Sequence, residues 1–183
     1  MHTTVIWCDW GDQDTASLQR IWQDINNIDV IHITQWNDTM ETCVNLAIEN
    51  ETDTLVMCGH GTSNGLLVPN SYSEYVIHEL NLNKIHAQNV IGLFCHASQF
   101  AEANNLHGLF SSMFISNIDE AMYYCIRTNG EEINTQNKII FDEVRRILSD
   151  GITLEECHSN IITLRNTTEY PVMEFNAGGV RIL

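Results

Sequence analysis

The sequence is poor in basic residues. Its 183 residues include 24 Asp and Glu but only 8 Lys and Arg, which gives a formal net charge of −16. Because a surface of this sign repels phosphate backbones and anionic lipids, we expect no nucleic-acid or membrane partner. A basic peptide or a basic protein partner fits the charge, although an acidic surface also serves solubility alone.

Long hydrophobic runs and targeting segments are missing as well. No stretch approaches the roughly 18 consecutive apolar residues of a membrane-spanning helix. The first residues, MHTTVIWCDWGDQD, lack the basic and apolar regions of a secretory signal. They predict a first strand instead, and we expect a cytoplasmic protein.

None of the six cysteines forms a C-x-x-C pair. Most lie inside apolar runs such as TLVMC and IGLFC, so a disulfide scaffold is excluded and reduced cysteines are expected. Four of them are predicted to be core residues: Cys8, Cys43, Cys125 and Cys157.

A Cys/His zinc cluster is an alternative, because Cys58 lies close to His60 and His96 directly follows Cys95. However, Cys58 is expected to point into the core, and no H-x-x-x-H spacing supports a metal. The segment GHGTSNG also lacks the Lys and Ser/Thr of a phosphate-binding P-loop. We therefore predict no metal and no cofactor.

With only two prolines, no Gly/Ser-rich linker and no internal repeat, the chain is predicted to be one domain over residues 1–183. Short β-rich runs alternate with helix-like runs, which favours an α/β fold around a parallel sheet. The predicted strands cover residues 4–10, 29–35, 53–58, 89–94 and 112–116. The predicted helices lie near residues 15–25, 39–49, 72–80, 100–109, 118–127, 135–148 and 153–164. Final strands are predicted in YPVMEFNAGGVRIL, and Gly108 is predicted to cap a helix.

Ligands of open α/β sheets bind outside the carboxyl ends of the strands, so residues at strand ends are the candidates for chemistry. Asp9 ends the first predicted strand, His60 follows the third and Cys95 follows the fourth. The crossover between the third and fourth strands has the length that makes them neighbours. His60 and Cys95 are therefore expected to face the same crevice.

A thiol next to an imidazole is the arrangement of a nucleophile and its base. His60 would take the thiol proton of Cys95 or hold the thiolate as an ion pair. Gly61 lets the substrate backbone approach, and its N–H with that of Cys95 would form an oxyanion hole. A Cys and a His that are far apart in the sequence do not by themselves identify a catalytic pair, since buried cysteines and satisfied histidines are common.

The pattern of GHGTSNG followed by the strand end IGLFCHAS resembles the clan of caspases, legumains, gingipains and separases, and most of all the CHAT domains. The resemblance runs over most of residues 53–183. The family's two following helices are echoed in FDEVRRILSDGITLEECHSNII, and its closing motif is echoed in YPVMEFNAGG. The chain departs from the family at Leu93 and Phe94, where Ser-Ala is usual, in a missing later Trp, and in having no TPR repeats.

The resemblance implies a caspase-like three-layer sandwich with a mostly parallel central sheet and helices on both faces. It implies a cysteine endopeptidase in which Cys95 attacks, a thioester acyl-enzyme forms, and His60 protonates the leaving amine. Members of that clan place a residue of the substrate pocket near the end of the first strand, and it is acidic in those that cut after Arg or Lys. Asp9 and Asp12 are the substrate-binding candidates here, with Asp14 as another, although Asp12 or Asp14 could instead cap the next helix.

A catalytically silent interaction or signalling module stays open as the alternative, because caspase-like folds also serve that role. The expected partners of a peptidase are a protein or peptide substrate and an activating protein, since no sensor region is attached.

Overall fold

A computed structural model describes residues 2–50, 52–167 and 169–183. The strands are β1 (Thr3–Cys8), β2 (Ile28–Ile33), β3 (Thr54–Cys58), β4 (Gly61–Thr62), β5 (Gly65–Leu67), β6 (Tyr75–Ile77), β7 (Asn89–Leu93), β8 (Gly108–Phe110) and β9 (Arg181–Ile182). The α-helices are α1 (Gln13–Ser17), α2 (Asp38–Glu49), α3 (Ala97–Ala103), α4 (Ile118–Tyr123), α5 (Gly130–Ser149), α6 (Leu154–Thr167) and α7 (Pro171–Gly179). None of these helices is both long enough and apolar enough to cross a membrane.

Six strands form the main sheet in the order β2-β1-β3-β7-β8-β9. The first five run parallel and β9 joins antiparallel to β8. The predicted α/β class with a mostly parallel sheet is confirmed. β3 and β7 are direct neighbours, as the length of their crossover indicates, and this adjacency positions the candidate site.

Both faces of the sheet are covered, because side chains alternate in direction along each strand. Val5, Val56 and Ile91 point into a core with α5, α6 and α7. Ile6 and Met57 point the opposite way, into a core with α2, α3 and the small sheet. Strands buried on both sides explain the near-continuous apolar runs in the sequence.

Polar side chains begin several of the helices. Asp12, Asn37, Asn117 and Asn129 each accept a hydrogen bond from the backbone N–H three residues later. Such caps satisfy N–H groups that have no partner inside a helix. Asp12 therefore caps α1, which was the alternative role considered for it. The cap fixes the start of α1 close to the end of β1.

The predicted helix near residues 72–80 is wrong. β6 lies there and pairs with β5, which pairs with β4, in a separate antiparallel sheet of three strands. Val76 and Ile77 are buried by this pairing. Burial of β-branched side chains against neighbouring strands outweighed the local helical spacing of apolar residues.

The chain after α3 also differs from expectation. The predicted strand at residues 112–116 is irregular, and the strand is β8, which begins four residues earlier. Gly108 begins this strand rather than capping a helix, with a φ of 155°, and a Cβ there would overlap the carbonyl oxygen of Val90. The predicted C-terminal strands are helix α7, which starts at Pro171, followed by the short β9.

Two of the four cysteines assigned to the core are not in it. Cys8 and Cys157 are buried, whereas Cys43 and Cys125 are exposed. Cys43 lies on the outer side of α2, and Cys125 follows α4 with a φ of 58°. Their local sequence is apolar enough to suggest burial, but the orientation of the helix and the turn decides otherwise.

A buried cluster of amides fixes the segment between β8 and α4. The side chain of Asn176 accepts a hydrogen bond from the Ile115 N–H at 2.7 Å and donates to the Ile115 carbonyl at 2.9 Å. It also donates to the Asn137 side chain at 2.8 Å. All of these groups are buried, so hydrogen bonds to buried side chains hold the irregular segment in place.

The replacement Asn176→Ala is expected to destabilise the fold by about 2 to 4 kcal/mol, because it leaves buried groups of Ile115 and Asn137 without partners. The exposed Asn166 of α6 provides the control, and Asn166→Ala should stay within about 0.5 kcal/mol of wild type. Urea unfolding measures both. Equal stabilities for the two variants would contradict this account of the cluster.

Candidate active site

Register in the parallel sheet aligns three residues of the candidate site. Trp7 of β1 lies opposite Cys58 of β3, and Cys58 lies opposite Leu93 of β7. Asp9, His60 and Cys95 each follow their aligned residue by two positions. Because parallel strands end at the same edge of the sheet, these residues emerge in one row.

A small cavity lies at this edge, and both His60 and Cys95 line it. Its other walls include Asp14, Gly59, Phe114 and Ser116. The cavity measures about 40 Å³. By the same measure one water needs roughly 10–15 Å³, so the space holds a few waters but no large side chain.

The Cys95 side chain is partly buried at the end of β7. Its Sγ lies 3.9 Å from the Phe114 carbonyl oxygen, a long contact for an S–H donor. Burial raises the pKa of the Cys95 thiol to about 11, and the carboxylates of Glu120 and Asp14 add to the rise. The thiol is therefore protonated at neutral pH in this conformation.

His60 is held by a carboxylate. Its Nε2 lies 2.8 Å from Oδ2 of Asp12, and its ring packs edge-on against Trp10 with centroids 4.9 Å apart. The other oxygen of Asp12 accepts from the N–H of Thr15 at 2.8 Å and from its hydroxyl at 2.7 Å. Although partial burial opposes it, these hydrogen bonds and His60 lower the pKa of Asp12.

Gly61 packs where no other residue fits. A Cβ at this position would overlap the ring of Phe94 and lie 2.9 Å from the Gly65 carbonyl oxygen. This close approach brings the turn after His60 against the residue that precedes Cys95. Within residues 2–50, 52–167 and 169–183, the Cys95 N–H has no hydrogen-bond acceptor, so it is free to bind a substrate oxygen.

His96 follows Cys95 in the left-handed region, with a φ of 65°, and begins α3. This strained turn directs the chain away from the sheet immediately after the thiol. The His96 Nδ1 is buried, and within the described residues it has no partner.

The acidic candidates occupy different places. Asp9 Oδ2 lies 2.8 Å from Nε2 of His32, outside the cavity, and both oxygens of Asp12 are engaged as described. Asp14 is the carboxylate that lines the cavity with Cys95, and its Oδ2 accepts from the Asn117 side chain at 2.8 Å. Of the three, Asp14 faces the thiol.

Several site residues were not predicted from the sequence. Phe114 and Ser116 line the cavity from the segment after β8, and Glu120 lies close enough to raise the thiol pKa. Ser116 donates to Glu120 through both its N–H and its hydroxyl, at 2.7 and 2.9 Å. The polar run SNIDE carries a helix-start signal, but nothing in it indicates the approach to Cys95.

The zinc alternative has no geometric support. Cys58 is buried, and its Sγ lies 3.6 Å from the Ile6 carbonyl oxygen. Across the described residues, no three His, Cys, Asp or Glu side chains are grouped so that they could hold a metal ion.

No protein-family model, no curated protein and no solved structure matches the chain. The geometry of His60, Cys95 and their neighbours therefore carries the functional conclusion.

Alkylation tests the environment of Cys95. In a Cys43→Ser/Cys125→Ser background, Cys95 is expected to react slowly with iodoacetamide at pH 7 and faster as pH rises towards about 11. Asp14→Asn should lower this pKa, because it removes a negative charge that disfavours the thiolate. Peptide mass spectrometry at a series of pH values measures the rate. Rapid labelling at pH 7 that Asp14→Asn leaves unchanged would contradict this picture.

Proposed function

We propose that the protein is a caspase-like cysteine endopeptidase in which Cys95 is the nucleophile and His60 the general acid and base. The observation that carries this proposal is that His60 and Cys95, on neighbouring strand ends, line the same cavity. The mostly parallel sheet with helices on both faces is compatible with the three-layer sandwich of that clan. The expected setting is the cytoplasm.

In the proposed reaction His60 takes the proton of the Cys95 thiol, and the resulting thiolate attacks the carbonyl carbon of a peptide bond. The N–H groups of Gly61 and Cys95 bind the oxyanion that forms. The C–N bond then breaks, and His60 gives its proton to the departing amine, which leaves a thioester on Cys95. His60 next takes a proton from water, the water oxygen attacks the thioester, and the C–S bond breaks. His60 returns its proton to the Cys95 thiolate, and the acid product loses its proton to solvent and leaves as a carboxylate.

Asp12 acts in this reaction through His60. A carboxylate 2.8 Å from one ring nitrogen holds the imidazole in one orientation. This assignment replaces substrate binding as the role we propose for Asp12, since both of its oxygens already have donors.

Asp14 is the residue we propose for substrate selection, with Arg or Lys preceding the cleaved bond. It lines the cavity with Cys95, whereas Asp9 pairs with His32. A cation bound to Asp14 would also neutralise one of the charges that raise the Cys95 pKa. Binding of the correct substrate would thus help to generate the thiolate.

Activation by a protein partner accompanies the proposal. The cavity of about 40 Å³ has room for only a few waters, and a partner that widens it would admit an Arg or Lys side chain. The acidic surface, at −16 overall, favours a basic partner or substrate.

A catalytically silent binding module is the second candidate, and two observations favour it. The thiol is protonated at neutral pH, and the cavity beside it measures only about 40 Å³. A protein that never reacts through Cys95, even with its natural partners present, would belong to this class.

Peptide-library profiling separates the two candidates. Wild type is expected to cleave after Arg or Lys, and Cys95→Ala or His60→Ala should abolish cleavage. Asp14→Asn should lower kcat/KM for these substrates by roughly 10- to 100-fold, the size of a lost charged contact. Asp119→Asn is the matched control, since Asp119 is exposed and does not line the cavity.

Cleavage that survives Cys95→Ala, or a preference for Arg and Lys that survives Asp14→Asn, would contradict the corresponding assignment. Because activation by a partner is proposed, the profile is measured both for the purified chain and after addition of lysate from the source cells.

A further inference from the structure

Two histidine–carboxylate pairs lie side by side at the edge of the sheet. His60 pairs with Asp12 and His32 pairs with Asp9, both at 2.8 Å. Only the first pair reaches the cavity with Cys95. The second has no place in the reaction as proposed, although Asp9 stands in the same row as His60 and Cys95.

The buried Thr15 joins these pairs. Its hydroxyl lies 2.7 Å from Oδ1 of Asp12 and 3.3 Å from Oδ1 of Asp9. The Trp10 N–H donates to the same hydroxyl oxygen at 3.0 Å, which directs the hydroxyl proton towards the carboxylates. A hydroxyl has one proton to donate, so the two carboxylates share it and each affects how strongly the other is held.

Trp7 contacts two members of this link, Thr15 and His32. Its indole N–H donates to the Thr15 carbonyl at 3.0 Å. Its ring stacks on the His32 ring, with centroids 4.1 Å apart and planes 9° from parallel. One side chain of β1 thus holds both the residue that shares the proton and the exposed histidine at the end of the link.

We propose that Thr15, Asp9 and His32 are positioning residues that hold Asp12 in the orientation and charge state that His60 requires. This inference rests on the proposed function. Thr15 holds Asp12 directly, and the His32–Asp9 pair acts through the shared hydroxyl. Because the His32 ring nitrogen donates to Asp9, the Thr15 proton is left to Asp12.

The ionisable groups around the link are few. His60 contacts Asp12 from the turn after β3, and Asp14 follows Asp12 in α1. His32 contacts Asp9 from β2. Hydrogen bonds from Gly11, His32 and Thr15 outweigh burial and lower the pKa of Asp9, just as Thr15 and His60 lower that of Asp12.

The replacement Thr15→Val tests the link, because valine keeps the shape but removes the hydroxyl. The Asp12 pKa should rise by about 0.5 to 1 unit on loss of a donor to its ionised form. His32→Gln should raise the Asp12 pKa by less, because His32 affects Asp12 only through the proton that Thr15 shares between the two carboxylates. Thr15→Ser should restore the wild-type value, and His86→Gln, at an exposed histidine, should leave it unchanged. Carboxyl carbon NMR titration of each variant measures these values without any substrate.

Peptidase assays provide the second measurement. In Thr15→Val the acid limb of the kcat profile should move to higher pH by the same amount, with KM preserved. An active peptidase whose Asp12 pKa and acid limb are unchanged in Thr15→Val and His32→Gln would overturn the inference and leave the proposed function intact. The expected NMR shifts in a protein that shows no Cys95-dependent cleavage would overturn the proposed function and leave the link intact.

Discussion

The parallel pairing of β1, β3 and β7 is the constraint on which the candidate site depends. Its register brings Asp9, His60 and Cys95 to equivalent positions beyond the sheet, although they are 35 to 86 residues apart in the chain. The two apolar cores on either face keep the strands in this register. A slip of one residue would turn each side chain of a strand into the opposite core and would move its strand-end residue out of the row.

The charges at this edge of the sheet affect the Cys95 thiol and the His60 imidazole in different ways. Burial, Asp14 and Glu120 keep the Cys95 thiol protonated, while Asp12 holds the imidazole of His60. An acidic cavity of this kind is costly for a thiolate until a cation enters it. The proposed preference for Arg or Lys and the carboxylate contribution to the raised Cys95 pKa thus have one physical origin.

Much of the sheet could be predicted from the sequence, because β1, β3 and β7 are buried on both faces and appear as unbroken apolar runs. The candidates His60, Gly61 and Cys95 followed from the ends of these runs. The approach of Phe114 and Glu120 to Cys95 could not, since an irregular segment held by buried amides has no periodic pattern. The pairing of Asp12 with His60 was equally hidden, because 48 residues separate the two.

Two of the wrongly predicted elements share a cause. β6 and α7 are short, and their state is decided by which surface buries them rather than by local spacing. Neither error affects the row of strand ends. Prediction was therefore most successful where continuous burial dictated the sequence, and it failed where long-range packing selected one conformation of a short segment.

The most direct test of the central claim is the intact mass of the protein after incubation with an acyloxymethylketone that carries Arg next to the reactive group. We expect a single adduct, mapped to Cys95, that is absent from Cys95→Ala and strongly reduced in His60→Ala. Adducts confined to the exposed Cys43 and Cys125, or no adduct even with partner proteins present, would contradict the assignment of Cys95 as a catalytic nucleophile.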